Sequence, residues 1–226
     1  DCDALKSIPE HLLDDCTGVE KLSSIFAYCR GLESVPGRLF AACSKVTDLG
    51  YLFTACESLR TIPADLFAGC SAATTFMQCF SGCEALGAIP AGLFDDCTQV
   101  EVFQSVFMDC VALKSIPEGL FDKHPNAVKF NFTFADCTGI ESVPVSLFDN
   151  CRKATAFTQT FRACSAWQGE SPYTLVDGTK VHLYERSKYP DAFEKAPSSS
   201  TNGTFRACTG LADYEKMAAD YPKWVK

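Results

Sequence analysis

Apolar residues recur along this chain at fixed distances, not with the rhythm of one long helix or strand. Ile-Pro or Val-Pro dipeptides begin at Ile8, Val35, Ile62, Ile89, Ile116 and Val143, and every step is 27 residues. Cys2, Cys29, Cys56, Cys83, Cys110, Cys137 and Cys164 keep the same step. Counted from each of these cysteines, position 4 is Leu5, Leu32, Leu59, Leu86, Leu113 and Ile140. Position 12 is Leu13, Phe40, Phe67, Phe94, Phe121 and Phe148. Position 21 is Leu22, Leu49, Phe76, Phe103, Phe130 and Phe157, and position 25 is Phe26, Phe53, Phe80, Phe107, Phe134 and Phe161. Fifteen of the 18 phenylalanines fall in these three columns. Equal spacing without insertion means that each unit does the same geometric job. That predicts a stacked array, not a chain folded back on itself.

The unit holds one half-motif twice, as Phe94-x-x-Cys97-x-x-Val100 and Phe107-x-x-Cys110-x-x-Leu113 show. Spacings of three suit a short helical turn that leads into an extended piece. The proline at position 8 suits the first turn of a helix. Ser115-Ile116-Pro117-Glu118 reads as a capping box, with Leu120, Phe121 and His124 on that helix's inner face. Leu-x-Ser-Ile before the proline reads as a short strand. Each coil is expected to contain one strand and one or two short helical turns. One coil cannot bury enough apolar surface to offset the entropy of ordering its backbone, so only neighbouring coils make it stable.

A repeat of this length with one strand and a short helix per coil is leucine-rich-repeat geometry. The form Phe-x-x-Cys-x-x-Leu-x-Ser-Ile-Pro resembles the BspA-like leucine-rich repeats of anaerobic, Bacteroides-type bacterial surface proteins. Residues 100–110 are similar to related surface repeats of mycoplasmas and gut anaerobes. The resemblance covers about residues 1–168 and returns at Phe205-x-x-Cys208-x-x-Leu211. It implies surface display and protein binding or adhesion, and it carries over no catalytic residue. The uniform period of 27 departs from the shorter unit of many such proteins.

Two segments are expected: a leucine-rich-repeat solenoid at 1–168 and a C-terminal cap at 169–226. In the second, Tyr173–Val176, then Asp177-Gly178, then Thr179–Arg186 reads as a hairpin with a type I′ turn. A Pro/Ser/Gly loop spans 190–204, and the half-motif follows it. Tyr214, Met217, Tyr221 and Trp224 then lie on one face of a helix that Pro222 breaks late. A repeat array needs such a cover. The other reading makes the hairpin a binding loop.

Composition bounds the function classes. The apolar fraction of 47% supports a core. No apolar run reaches the length of a membrane span, so no membrane insertion is expected of this segment. The net charge of −8 disfavours nucleic acid and anionic membranes as partners. The chain starts without a signal peptide and with the first repeat cut inside its motif. The expectation is that repeats continue upstream and that any export signal has been removed.

The 14 cysteines suggest disulfides if the protein is exported. Their periodicity suggests a ladder of buried thiols instead. Position 15 holds Cys16, Cys43, Cys70, Cys97 and Cys151 but also His124, which would orphan a fixed pairing scheme. Cys208 repeats the pattern in the cap, and only Cys79 lies outside the scheme. The spacing offers no zinc site. His11 reads as a surface residue, His124 as structural, and His182 as part of the tail. No nucleophile and base fall together, so no catalytic role is expected. Asp95, Asp122 and Asp149 share a column, which reads either as a cation ladder or as a solvated edge. Asn131-Phe132-Thr133 and Asn202-Gly203-Thr204 match the glycosylation pattern, which carries no weight in a bacterial chain.

Candidate binding residues lie at position 5: Lys6, Glu33, Arg60, Lys114 and Glu141, with Gly87 between Arg60 and Lys114. If position 4 points inward, position 5 points out. The alternating signs suit either a recognition face or simple pairing between coils. Tyr51 and Phe132 stand at normally polar positions and are further candidates. The expectation is a non-enzymatic, monomeric module on the bacterial cell surface that binds a host or matrix protein, without cofactor or metal. A passive spacer and a surface glycan-binding protein are the alternatives.

Overall fold

The computed structural model describes residues 2–226. Consecutive units lie against one another as stacked coils. Two columns of single-residue parallel bridges link them. One runs through Lys21, Asp48, Thr75, Val102, Lys129 and Ala156 at position 20. The other joins Ser7, Ser34 and Thr61, and then Ser115 and Ser142, at position 6.

The coils contain neither the regular strand nor the short helix that the spacing predicts. The named elements are β1 (Tyr173–Val176), β2 (Thr179–His182), α1 (Tyr214–Asp220) and two 3-10 segments, Leu183–Lys188 and Pro222–Trp224. The half-motif explains why. Its turn closes by i→i+3 bonds, such as Cys97 N–H to Phe94 C=O at 2.8 Å and Leu113 N–H to Cys110 C=O at 3.1 Å. A turn closed so often leaves little straight chain between corners. The helix expected after each proline does not form either. In four coils the backbone enters the left-handed region two residues beyond the proline, at φ 65° in His11, 56° in Arg38, 77° in Gly92 and 72° in Gly119. A helix cannot pass through that conformation. Asp65 and Ser146 do not enter it, and only a turn follows, closed from Leu66 N–H to Pro63 C=O and from Leu147 N–H to Pro144 C=O, each at 3.2 Å.

Positions 21 to 27 form the continuous seam between coils. Alternate N–H groups donate to the next coil: Phe76 to Val102 at 3.0 Å, Gln78 to Gln104 at 2.9 Å, Phe80 to Val106 at 2.9 Å and Gly82 to Met108 at 2.7 Å. Intervening groups close local turns, as Ser81 N–H does on Gln78 C=O at 3.2 Å. Left-handed residues at positions 23 and 27 allow this alternation. Backbone polarity is thus satisfied between coils, as burial demands.

The phenylalanine columns fill the interior. Along position 25, Phe53–Phe80, Phe80–Phe107 and Phe107–Phe134 stack with centroids 5.5, 5.6 and 5.7 Å apart. Columns 12 and 21 interlock edge to face, with Phe67–Phe76 at 4.7 Å and Phe130–Phe148 at 5.0 Å. Both arrangements suit the aromatic quadrupole.

The cysteine columns have a second job besides filling space. Each turn phenylalanine has a carbonyl whose second lone pair needs a donor in a dry interior. The cysteine thirty residues on supplies it. Cys83 Sγ reaches Phe53 O at 3.3 Å, Cys110 reaches Phe80 O at 3.3 Å, and Cys137 reaches Phe107 O at 3.0 Å. At position 15 the contacts are longer, such as Cys70 to Phe40 O at 3.7 Å. His124 takes the same role with Nε2 donating to Phe94 O at 3.2 Å. That shared role explains how imidazole replaces thiol in the column. Cys79 also finds its place. It belongs to a buried position-24 column with Leu52, Val106, Thr133 and Thr160. In that column Thr160 Oγ1 donates to Phe130 O at 2.9 Å.

All fourteen cysteines are unpaired, and twelve of them are buried. Burial first, and neighbouring thiols second, push Cys56 and Cys70 up to about 12, so they stay protonated donors. A thiol reagent should label Cys2, and Cys16 more slowly, in the native protein. All fourteen should react after unfolding without reductant. A shortfall in the unfolded sample would mean cross-linked coils.

His124 gives the stack a pH dependence. Its Nδ1 has no partner, and burial lowers its pKa below 6.5 despite the Phe94 carbonyl and nearby Asp95 and Asp122. Below pH about 6.5 the unfolded chain binds a proton that the folded chain resists, so stability falls with acidification through that window. His124→Cys keeps a donor for Phe94 O and removes the titration. Urea unfolding at pH 7.5 and pH 5 should show a smaller acid loss in the variant. Equal losses would contradict the account.

Residues 202–208 occupy the place of a further coil. Gln159, Phe161 and Ala163 N–H donate to Asn202, Thr204 and Arg206 C=O at 2.9, 2.8 and 2.8 Å. Phe205 stacks on Phe161 at 5.7 Å, and Trp224 on Phe205 at 6.3 Å. Cys208 Sγ donates to Phe161 O at 2.9 Å. On the other half of the coil no such cysteine follows, and Arg186 takes over. Its guanidinium donates to Phe148 O at 2.8 Å and to Cys151 O at 3.2 Å. Thr179–His182 pairs with Tyr173–Val176 through the Asp177-Gly178 turn, both residues at positive φ. Residues 183–186, expected as strand, belong instead to a 3-10 segment.

Candidate interaction surfaces

The position-5 residues meet each other. Glu33 N–H donates to Lys6 C=O at 3.0 Å, Arg60 N–H to Glu33 C=O at 3.2 Å, and Glu141 N–H to Lys114 C=O at 2.9 Å. Side chains pair along the same line, Lys6 with Glu33 at 3.2 Å and Lys114 with Glu141 at 3.6 Å. These pairs are exposed, and each is worth at most about 1 kcal/mol. Their consequence is local neutrality. Position 2 does likewise, with Arg30 between Asp3 at 3.6 Å and Glu57 at 2.9 Å. The spacing of 27 between Asp3, Arg30 and Glu57 was the available signal.

The aspartate column is engaged elsewhere. Lys123 Nζ pairs with Asp95 at 2.8 Å, and Thr174 Oγ1 donates to Asp149 at 2.8 Å. Among the described residues no three metal-binding side chains converge.

Tyr51 and Phe132 occupy the same column, position 23, on the inter-coil seam. Tyr51 is exposed and Phe132 half-buried. Both have left-handed backbones, at φ 57° and 58°. Ser24, Gln78, Ser105 and Gln159 share that conformation, so the fold imposes it on the whole column. For a residue with a Cβ it costs on the order of 1–2 kcal/mol. Bulky aromatics therefore sit where glycine or asparagine would be easier. Tyr51 O–H donates to Met77 Sδ at 3.3 Å. Phe132 lies 5.9 Å from the Arg162 guanidinium, which Asp136 and Gln159 hold in place.

Positions 21 to 26 of the seam carry no charge in the first five coils, and Asp109, Asp136 and the Arg162 beside Phe132 border them. Residues 22–27, 49–54, 76–81, 103–108 and 130–135 include no Asp, Glu, Lys or Arg. Met77, Gln78, Gln104, Met108 and Asn131 reach its surface, each half-buried. The signal was present in the sequence as an absence of charge, but the positions facing out could be recognised only once the seam was located.

Ser171, His182 and Asp213 come together although they lie far apart in the sequence. Ser171 Oγ lies 2.8 Å from His182 Nδ1, and Ser171 N–H donates to Asp213 Oδ1 at 3.1 Å. Tyr184 O–H donates to Asp213 Oδ2 at 2.9 Å. Burial and this carboxylate push the tyrosine hydroxyl pKa up. Asp213 lies 3.5 Å from the same ring nitrogen, Nδ1, that meets the serine, and Glu170 lies 3.5 Å from Nε2 on the far side of the ring. Serine and a carboxylate thus flank the imidazole as a nucleophile–base relay requires. Ser171 is fully buried, however, and Asp213 also holds its hydroxyl, so the hydroxyl faces no open surface. The cluster ties β2 to the start of α1.

Neither a known protein family nor a curated protein matches the chain. Among solved structures it is similar to the APL1 leucine-rich repeat domain, at 14% identity and TM-score 0.38 over 76% of this chain and 37% of that one. It is also similar to a chain of the glycosylated Drosophila Toll–Spatzle complex, at 14% identity and TM-score 0.40 over 91% of this chain and 26% of that one. A chain of the LRIM1/APL1C complex matches at 13% identity and TM-score 0.32, over 75% and 26%. This chain thus spans 26% to 37% of the length of these solved chains.

Proposed function

We propose that the chain is a non-enzymatic protein-binding module that engages its partner through the seam that carries Tyr51 and Phe132. The observation that carries this reading is the composition of that surface. A protein with 21% charged residues keeps positions 21 to 26 of five consecutive coils free of charge and places Tyr, Met and Phe among amides. Interface centres are depleted of charge and enriched in aromatics and Met. The position-5 ladder fits the role less well, because Lys6 with Glu33 and Lys114 with Glu141 neutralise each other and leave only Arg60.

In this reading residues 1–168 are the array, built of 27-residue coils of the BspA-like type, and 169–226 are its cap. The stacking of Phe205 and Trp224 beyond Phe161 supports the division. The module works as a monomer on a bacterial surface, against a host or matrix protein. The test is capture of immobilised matrix proteins by wild type and by Tyr51→Gly/Phe132→Gly. Glycine suits the left-handed backbone, so the variant should stay folded while capture drops at least tenfold. Equal capture would sink the seam as the binding surface. Silence of both proteins would favour a passive spacer, the reading that the self-paired position-5 ladder supports.

A further inference from the structure

The chain has three methionines, and burial divides them. Met217, in α1, is fully buried. Met77 and Met108 stand half-buried on the seam, at positions 22 and 26 of adjacent coils. A thioether needs no deprotonation before it attacks an oxidant, so access to the sulfur decides which methionine reacts. No thiol competes on this surface, because Cys79, the seam's cysteine, is fully buried. The two seam sulfurs differ in their surroundings. Tyr51 O–H donates to Met77 Sδ at 3.3 Å, which commits one of its lone pairs. Among the described residues no side chain donates to Met108 Sδ.

We propose that Met108 and Met77 form an oxidation site for hydroperoxides that switches the seam off as a binding surface, with Tyr51 setting the order in which they react. The proposal rests on the seam being that surface. In the step, a sulfur lone pair forms an S–O bond to one peroxide oxygen and the O–O bond breaks. The departing hydroxide takes the remaining proton and leaves as water. Sulfur gives up two electrons, the peroxide accepts them, and the thioether becomes a sulfoxide. An adaptable apolar side chain is thereby replaced by a polar one, which disrupts methionine-rich contacts. A partner would have to bury the new S=O group, which is unfavourable unless a donor meets it. At Met77 the donor is already present. The sulfoxide oxygen accepts more strongly than a thioether, so it holds the Tyr51 hydroxyl against the coil and away from a partner.

The test treats the full chain with hydrogen peroxide, after alkylation of its accessible thiols, and follows each methionine by peptide mass spectrometry. Met108 should oxidise first and Met77 more slowly, while Met217 should lag Met108 by at least about tenfold. Tyr51→Phe keeps the ring and removes the hydroxyl, so Met77 should then react at a rate close to that of Met108. Capture of immobilised matrix proteins should fall about tenfold on oxidation, with far-UV dichroism unchanged. Met77→Leu/Met108→Leu should capture equally before and after peroxide, whatever its starting level. Equal rates for all three methionines, a Met77 rate indifferent to Tyr51→Phe, or full sulfoxide formation without loss of capture would each overturn the switch and leave the seam reading standing. Absence of capture before peroxide would sink the seam reading, and the switch with it.

Discussion

Phe94→Ala should lower the unfolding free energy by about 3–5 kcal/mol. Phe94 is fully buried and touches five other rings: Phe76 at 4.8 Å, Phe103 at 5.2 Å, Phe67 at 6.0 Å, Phe107 at 6.2 Å and His124 at 6.3 Å. Truncation removes its transfer free energy and opens a cavity that the hydrogen-bonded coils cannot collapse to fill. The effect has a second signature. In an array each coil is held by its neighbours. A defect in the fourth coil should therefore uncouple the coils before it from those after it. Urea unfolding followed by both fluorescence and far-UV dichroism should lose its single transition. Leu175→Ala, on an exposed hairpin residue, serves as control and should change stability by less than about 0.5 kcal/mol. A Phe94→Ala loss near that control value would mean the rings do not carry the stack.

Arg186→Ala should come next, at about 2–4 kcal/mol. The guanidinium is buried, and burial lowers its pKa to about 10, so it remains a cation at neutral pH. Holding a desolvated cation already costs the fold. Removing it releases that cost but strands the Phe148 and Cys151 carbonyls, each worth roughly 1–3 kcal/mol when left dry. It also removes the group lying 4.4 Å from the Phe193 ring. The stranded carbonyls and the lost packing together outweigh the relief. Arg186→Lys separates these contributions. It keeps the charge but lacks the planar fork that reaches two carbonyls at once. Chemical denaturation should rank wild type above Arg186→Lys and place Arg186→Ala near or below it. A stabilised Arg186→Ala would show that desolvation dominates.

Both effects bear on how much of this protein can be read without coordinates. The stacking registers of positions 12, 21 and 25 were plain in the spacing, because identical side chains recur at one interval. Arg186 was not. Nothing in its sequence neighbourhood marks it as the donor that replaces a missing cysteine, since its partners Phe148 and Cys151 lie more than thirty residues away. The same holds for the candidate surface. Tyr51 and Phe132 stood out as aromatics at polar positions, but the seam that sets Tyr51 against Met77 and Phe132 against Arg162 depends on where the chain turns. The helix after each proline was misread for a local reason. The pattern of apolar residues is compatible with a helix, and in four coils the left-handed residue two places later forbids it.

What the sequence alone determined is register: a unit of constant length, with Phe, Leu and Cys at constant places, can bury its apolar side chains only by stacking like upon like. What only the tertiary structure decided is the path of the chain between those places. Turn carbonyls find donors thirty residues on, so thiol, threonine, imidazole and guanidinium become interchangeable as donors to the turns, an equivalence invisible to hydrophobic periodicity. Spacing records which residues must be buried, whereas hydrogen-bond satisfaction in a dry interior settles how the backbone bends to bury them.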